Sequence, residues 1–244
     1  MDREHIVKSY DEELEQLNNT LIEMGGLAEA QIDAAVQALI TRDPELARTV
    51  IDDDDKVDDL NYEVDNQAMR LLALRQPMAR DLRNVVAAIK ISSDLERIAD
   101  YATNMARRSI ALSETPPVKP VHVVPRMAHL VMAMMKNVLD AYVELDVDKA
   151  LAVWHADEEV DEMYASLFRE LLTYMMEDPR RITPCTHVLF IAKNVERIGD
   201  HLTNISETIY FLVHGERLER SRPRGRSNDR VIYPALGADI KPEK

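Results

Sequence analysis

The chain carries one pattern twice. Asp43-Pro44-Glu45-Leu46-Ala47 opens a stretch containing Val50, Asp54, Val57, Asp58 and Asp59. Asp146-Val147-Asp148-Lys149-Ala150 opens another containing Val153, Asp157, Val160, Asp161 and Glu162, at an offset of 103 (146 − 43). Further on, Ile91, Glu96, Arg97, Ile98, Asp100, Thr103 and Asn104 meet Ile191, Glu196, Arg197, Ile198, Asp200, Thr203 and Asn204 at an offset of 100 (191 − 91). A net three-residue gap before Ile91 joins the two registers. Glu-Arg-Ile-x-Asp-x-x-Thr-Asn standing twice means two homologous halves, so the fold is two copies of one unit.

Apolar periodicity and cap residues divide each half into three helices. In the first half they run from about His5 to Arg42, from Asp43-Pro44 toward Arg75, and from Pro77 to about Leu112. In the second they run from about Val121 to Glu144, from Asp146 to about Glu177, and from Thr183-Pro184 to near His214-Gly215. Asp is a good N-cap and Pro suits the first helical position. On the third helix of each half, Ile91, Leu95, Ile98, Ala102 and Met105 step 4-3-4-3, as do Ile191, Val195, Ile198, Leu202 and Ile205. That is the core seam of a helical bundle. Only 6 Gly and 5% aromatic residues leave little for hairpins or sheets. The expected class is all-α: two tandem homologous three-helix bundles, six helices in all, with a flexible C-terminal tail. The expected domains are 1–115, 121–215 and an Arg-rich mobile tail, 216–244, with the Pro-rich segment Ser113 to Pro120 as linker.

Carboxylates recur in register on these helices. Asp54/Asp58 and Glu96/Asp100 in the first half have Asp157/Asp161 and Glu196/Asp200 as counterparts. At helical spacing, the members of each pair share a face, opposite or flanking the core stripe, and are expected to face solvent. Like charges at i and i+4 destabilise an exposed helix by roughly 0.2–0.5 kcal/mol, so a positive partner is required. Arg97 and Arg197 are candidates; a cation bridging two helices is another. Oxygen donors suit Mg²⁺, Ca²⁺ and Mn²⁺ and can hold iron; the pattern does not distinguish Mg, Mn, Fe, Ca or Zn. A ferritin-like di-iron centre is excluded, because none of the seven histidines follows a Glu by three residues.

The net charge is −14, from 30 Lys+Arg against 44 Asp+Glu, which argues against a nucleic-acid binder. DNA binding through Arg217, Arg220, Arg222, Arg224, Arg226 and Arg230 of the tail is the minor alternative. One cysteine, Cys185, excludes an intramolecular disulfide and a thiolate metal knot. The start, Met1-Asp2-Arg3-Glu4-His5, has no apolar signal core, and the longest uncharged apolar run, Ile182 to Ala192, falls short of the roughly 20 residues of a spanning helix. A cytosolic protein, held at a membrane by partners if at all, is expected. No nucleophile elbow or phosphate-cradling Gly-rich loop is present, so an enzyme is not expected.

Several separated motifs together resemble a known family. They are Arg75-Gln76-Pro77-x-x-x-Asp81-Leu82-Arg83, Asp94-Leu95-Glu96-Arg97-Ile98-Ala99-Asp100, Thr173-Tyr174-Met175-Met176-Glu177-Asp178 and Glu196-Arg197-Ile198-Gly199-Asp200. With the tandem repeat they are similar to the PhoU family of phosphate-specific transport accessory proteins, over about Leu17 to Gly215. The resemblance implies two tandem three-helix bundles and a metal-binding E(D)xxxD motif in pairs on their surface. Here the motif falls on Asp54, Asp58, Glu96 and Asp100, and on Asp157, Asp161, Glu196 and Asp200. The competing Asp55/Asp59 register meets Glu158/Glu162 and matches less well; Ala99 departs from Gly199 of the second repeat. The resemblance further implies a cytoplasmic regulator, peripheral to the inner membrane through its partners. Those partners are the ATPase subunit of a phosphate ABC transporter and a phosphate sensor histidine kinase. Such a protein keeps the phosphate-starvation (Pho) regulon off, and self-association as a homodimer is expected. A metal-dependent phosphohydrolase using the same carboxylates is the alternative from another class.

Overall fold

A computed structural model describes residues 2–75 and 77–219, and every regular element in them is helical. The first half consists of α1 (Asp2–Thr41), α2 (Pro44–Asp52), α3 (Asp54–Arg75) and α4 (Arg80–Ser113); the second consists of α5 (Val123–Glu144), α6 (Val147–Glu177) and α7 (Ile182–His214). Short 3-10 turns at Lys119–His122 and Pro179–Arg181 lead into α5 and α7. With α2 and α3 taken as one interrupted helix, the chain forms the two tandem three-helix bundles that the repeat requires. The Arg-rich part of the expected tail, from Arg220 on, lies outside the described residues.

Helix ends follow local chemistry. Asp43 accepts hydrogen bonds from the N–H groups of Glu45 and Leu46, with Pro44 opening α2, and Asp146 accepts from Lys149 at the start of α6. Gly215, at φ +77°, caps α7 in the left-handed conformation, and its N–H donates to the Phe211 carbonyl.

Three boundaries differ from expectation. The second helix of the first half breaks at Asp53, whose N–H closes α2 on the Thr49 carbonyl before α3 restarts at Asp54. The cause is readable in the repeat: Asp52-Asp53-Asp54-Asp55 stands where the unbroken α6 has His155-Ala156-Asp157-Glu158. Four consecutive aspartates are poor helix formers and repel one another, whereas acids are favourable at a fresh helix N-terminus. The third helix starts at Arg80 rather than Pro77, after Ala79 at φ +51°. In the second half α7 starts at Ile182, so Thr183-Pro184 lies within the first turn, where a missing N–H removes no helical bond. The midpoint connection is packed rather than free. Val118 and Pro120 are buried. Arg42 donates to the carbonyls of Leu112 (2.8 Å), Ser113 (3.0 Å) and Thr115 across the gap.

All ten seam residues of α4 and α7 are buried. The two halves meet where α4 packs on α7, with α1 against α5 beside them. The crossing is antiparallel. Arg83, early in α4, donates to the Leu212 carbonyl late in α7 (3.2 Å), and Arg108, late in α4, lies over the Phe190 ring early in α7 at 4.2 Å. Midway, His201 Nδ1 donates to Asp94 (2.7 Å) and Asn204 donates to the same oxygen (3.3 Å). Within the second half, the buried Trp154 indole donates to Glu207 (3.0 Å) and ties α6 to α7.

Helices α6 and α7 approach closely at Gly199, where an added Cβ would lie 2.5 Å from the buried Asp157 Oδ1. The first half carries Ala99 at the equivalent position. Gly199→Ala is expected to destabilise the protein by about 1–3 kcal/mol through overpacking. Ala99→Gly is expected to cost only about 0.5–1 kcal/mol, through backbone entropy. Urea unfolding midpoints measure both; a Gly199→Ala midpoint at or above the wild-type value would contradict the close-approach argument.

Candidate functional site: two interhelical carboxylate clusters

Asp54 and Asp58 stand one turn apart on α3, and Glu96 and Asp100 one turn apart on α4. Asp157 and Asp161 repeat the arrangement on α6, and Glu196 and Asp200 on α7. Because α3 packs on α4 and α6 on α7, each half brings its two pairs to one interhelical seam. The acids are therefore not the solvent-facing pairs expected from single-helix geometry. Asp157 is 1% exposed and the Glu196 side chain 12%, while Asp54, Glu96, Asp100, Asp161 and Asp200 are half-buried. Only Asp58 is exposed. The correction has a simple cause. Glu96 and Glu196 follow the core residues Leu95 and Val195 by one position, about 100° round the helix, and the neighbouring helix packs over that flank.

Burial and like charge act together on several of these carboxyls. Burial pushes the carboxyls of Asp54, Asp58 and Glu96 above their ordinary range, and negative neighbours push them further. Asp54 feels Asp100 and Asp58, against a lowering hydrogen bond with Thr103 and the charge of Arg107; Asp58 feels Asp100, Asp55 and Asp59; Glu96 feels Asp100, Asp58 and Asp54, against Arg97. In the second half burial raises Glu196, Lys193 partly offsets this, and Asp200 and Asp161 add to it.

The expected arginines do supply counter-charge. Arg97 lies 3.2 Å from Asp100 and 3.5 Å from Glu96, and Arg197 lies 3.6 Å from Asp200 and 4.0 Å from Glu196. Lys193, which the sequence reading missed, donates to Glu196 at 2.6 Å. Its signal was present as an i,i+3 pair on one helix face. The first half has Ser93 at that position and draws its positive charge from Arg97 and, at Asp54, from Arg107. The all-oxygen donor set suits a hard cation. However, among the described residues no three His, Cys, Asp or Glu side chains converge into a cage for a metal ion. An open groove of about 520 Å³ between α1 and α5, lined by Glu29, Asp33, His129 and Lys136 among others, contains none of the eight acids.

Two pseudo-equivalent three-helix bundles, each with a carboxylate cluster between its second and third helices, define a tandem-bundle protein of the kind that the repeated motifs resemble. The PhoU domain model matches residues 21–109 and 124–209, and the chain belongs to the PhoU family. It is 51% identical over 222 residues to the phosphate-specific transport system accessory protein PhoU homolog of Caulobacter vibrioides, covering 91% of this chain and 96% of that one. The crystal structure of PhoU from Pseudomonas aeruginosa superposes with a TM-score of 0.82 at 41% identity, covering 85% of this chain and all of that one. The phosphate transport system regulatory protein PhoU from Streptococcus pneumoniae gives 0.80 at 29% identity, covering 86% of this chain and all of that one.

The raised carboxyls have a stability consequence. Each contributes stability that is fully present below the ordinary carboxylate range and is lost as pH rises through its raised folded value, because the folded state holds the proton more tightly. At neutral pH the clusters therefore oppose folding. Glu96→Gln is expected to raise the melting temperature at pH 7, and the advantage shrinks as pH falls toward about 4. An unchanged or lowered melting temperature at pH 7 would show that Arg97 already balances the first cluster.

Proposed function

We propose that this chain is a non-enzymatic negative regulator of phosphate uptake and of the phosphate-starvation regulon. In this reading it is an adaptor between the ATPase subunit of a phosphate ABC transporter and a phosphate sensor histidine kinase. Family membership carries the general part, a role in regulating phosphate transport. The observation that supports the finer part is the pairing of two equivalent charged seams on bundles joined through α4 and α7. An adaptor needs two docking faces held at a fixed spacing, and a duplicated bundle supplies them. No helix of the described residues is long and apolar enough to cross a membrane. The adaptor reading puts the chain in the cytoplasm, peripheral to the inner membrane through its partners.

The division into 1–115, 121–215 and 216–244, and the homodimer, belong to the same proposal. So does assignment of Asp54, Asp58, Glu96, Asp100, Asp157, Asp161, Glu196 and Asp200 as the regulatory surface. A divalent cation bound there would be held largely through its own waters, as Mg²⁺ prefers, and would lower the repulsion within each seam. No observation favours the metal-dependent phosphohydrolase.

Deleting the chain is expected to leave phosphate-starvation genes expressed in phosphate-rich medium, read by a reporter fusion. Complementation with the wild type restores repression; Asp58→Asn with Asp100→Asn restores it only partly. Repression that persists in the deletion strain would contradict the regulatory reading. Full restoration by the double variant would remove the first cluster from it.

A further inference from the structure

Gln31 of α1 is a polar side chain buried without a partner. It is 6% exposed, and neither its carboxamide oxygen nor its nitrogen has a hydrogen-bond partner among the described residues. Such a group is costly to keep and calls for an explanation. The repeat shows that the fold does not require it. Met134 of α5 is the twin of Gln31, at the offset of 103 (134 − 31), and is buried. Arg42 and Leu145, which follow α1 and α5 in the left-handed conformation, fix that register (145 − 42). Gln31 lines a partly open cavity of about 180 Å³ between α1 and the break separating α2 from α3. Leu27 and Ala34 of α1 supply one apolar wall, and Leu46 and Val50 of α2 the other; Thr49, Asp53 and Lys56 add polar groups. These too are particular to the first half, since Thr49 and Asp53 have Ala152 and Ala156 as twins. A cavity with polar lining thus stands where the second half has apolar side chains.

We propose that this cavity binds an uncharged adenine base, free or as its nucleoside, with Gln31 reading the amino edge. The site is separate from the carboxylate seams and does not rest on the adaptor reading. A carboxamide presents a donor and an acceptor in one plane, the complement of the amino group and ring nitrogen of adenine. The terminal torsion of Gln is soft, so the buried amide can turn to a ligand without a change of backbone. Size agrees. A cavity of about 150 Å³ with aliphatic lining accepts benzene, and this one is larger and open to solvent. Its walls come from two helices, with Ala34 keeping one of them shallow, and a slot of that kind suits a flat ring. Charge decides against a phosphate. Asp53 and Lys56 pair with each other at 2.7 Å, and Arg48 is taken by Glu45. Asp52, Asp54 and Asp55 at the break leave the local field negative, which disfavours an anion.

NMR titration of the isotope-labelled full chain with adenosine tests this. The expected result is saturable shifts of the Gln31 side-chain amide and of the backbone amides of Ala34, Thr49 and Lys56. Purine riboside, which lacks the amino group, binds roughly 3- to 10-fold more weakly, and adenosine monophosphate also binds more weakly than adenosine. Gln31→Met, which installs the twin residue, abolishes the saturable shifts. Its melting temperature stays at or above the wild-type value, because the unpaired amide is gone. Ala34→Leu narrows the slot with Gln31 in place and likewise loses adenosine, which keeps the test decisive should Gln31→Met melt early. Adenosine affinity unchanged in both variants would overturn the proposal, as would monophosphate bound more tightly than the nucleoside. Absence of saturable shifts in the wild type would also overturn it and leave Gln31 to water alone.

Discussion

The packing of α4 against α7 is the constraint on which the rest of the molecule depends. Each is the third helix of its half, each carries a 4-3-4-3 stripe that is wholly buried, and their antiparallel crossing joins the two repeats. Polar contacts fix the register of that crossing. Asp94 takes hydrogen bonds from His201 and Asn204 at its centre, and Arg83 closes one end on the Leu212 carbonyl of α7. With α4 and α7 fixed, the places of α3 and α6 follow, because each packs on its own third helix. The two carboxylate seams follow with them. A bundle pair built from a repeat thus positions two charged sites by one set of apolar contacts.

The seams are near-copies whose differences have physical consequences. The second is the more tightly built: Gly199 lets α6 approach, Asp157 is buried beside it, and Lys193 and Arg197 both contact Glu196. The first has Ala99, a broken helix ahead of Asp54, and Ser93 in place of Lys193. Its three raised carboxyls share a field that Arg97 at Glu96, and Thr103 and Arg107 at Asp54, offset only in part. Charge held at a half-buried seam lowers stability, and a cation or a basic partner surface would relieve it.

Much of this architecture was legible before the structure, for identifiable reasons. The core stripes, the Asp43 and Asp146 caps and the Gly215 stop are local signals, and each appears where the chain placed it. The eight acids were legible through duplication. Their surroundings were not, because a helical wheel locates Glu96 relative to Leu95 but is silent on which flank α3 will cover. The break at Asp53 and the late start of α4 depend on local backbone choices that apolar periodicity does not record. The run from Asp52 to Asp55 could have signalled the first.

The central claim is that burial and shared negative neighbours, not isolated surface chemistry, set the carboxyls of Asp58, Glu96 and Glu196. Titration of side-chain carboxyl carbons by NMR tests it most directly. Asp58, Glu96 and Glu196 are predicted to titrate above the ordinary carboxylate range, and Asp58 and Glu96 to move down together when Asp100→Asn removes their shared neighbour. Ordinary midpoints, unmoved by Asp100→Asn, would mean that the acids are independent surface groups and would contradict the account.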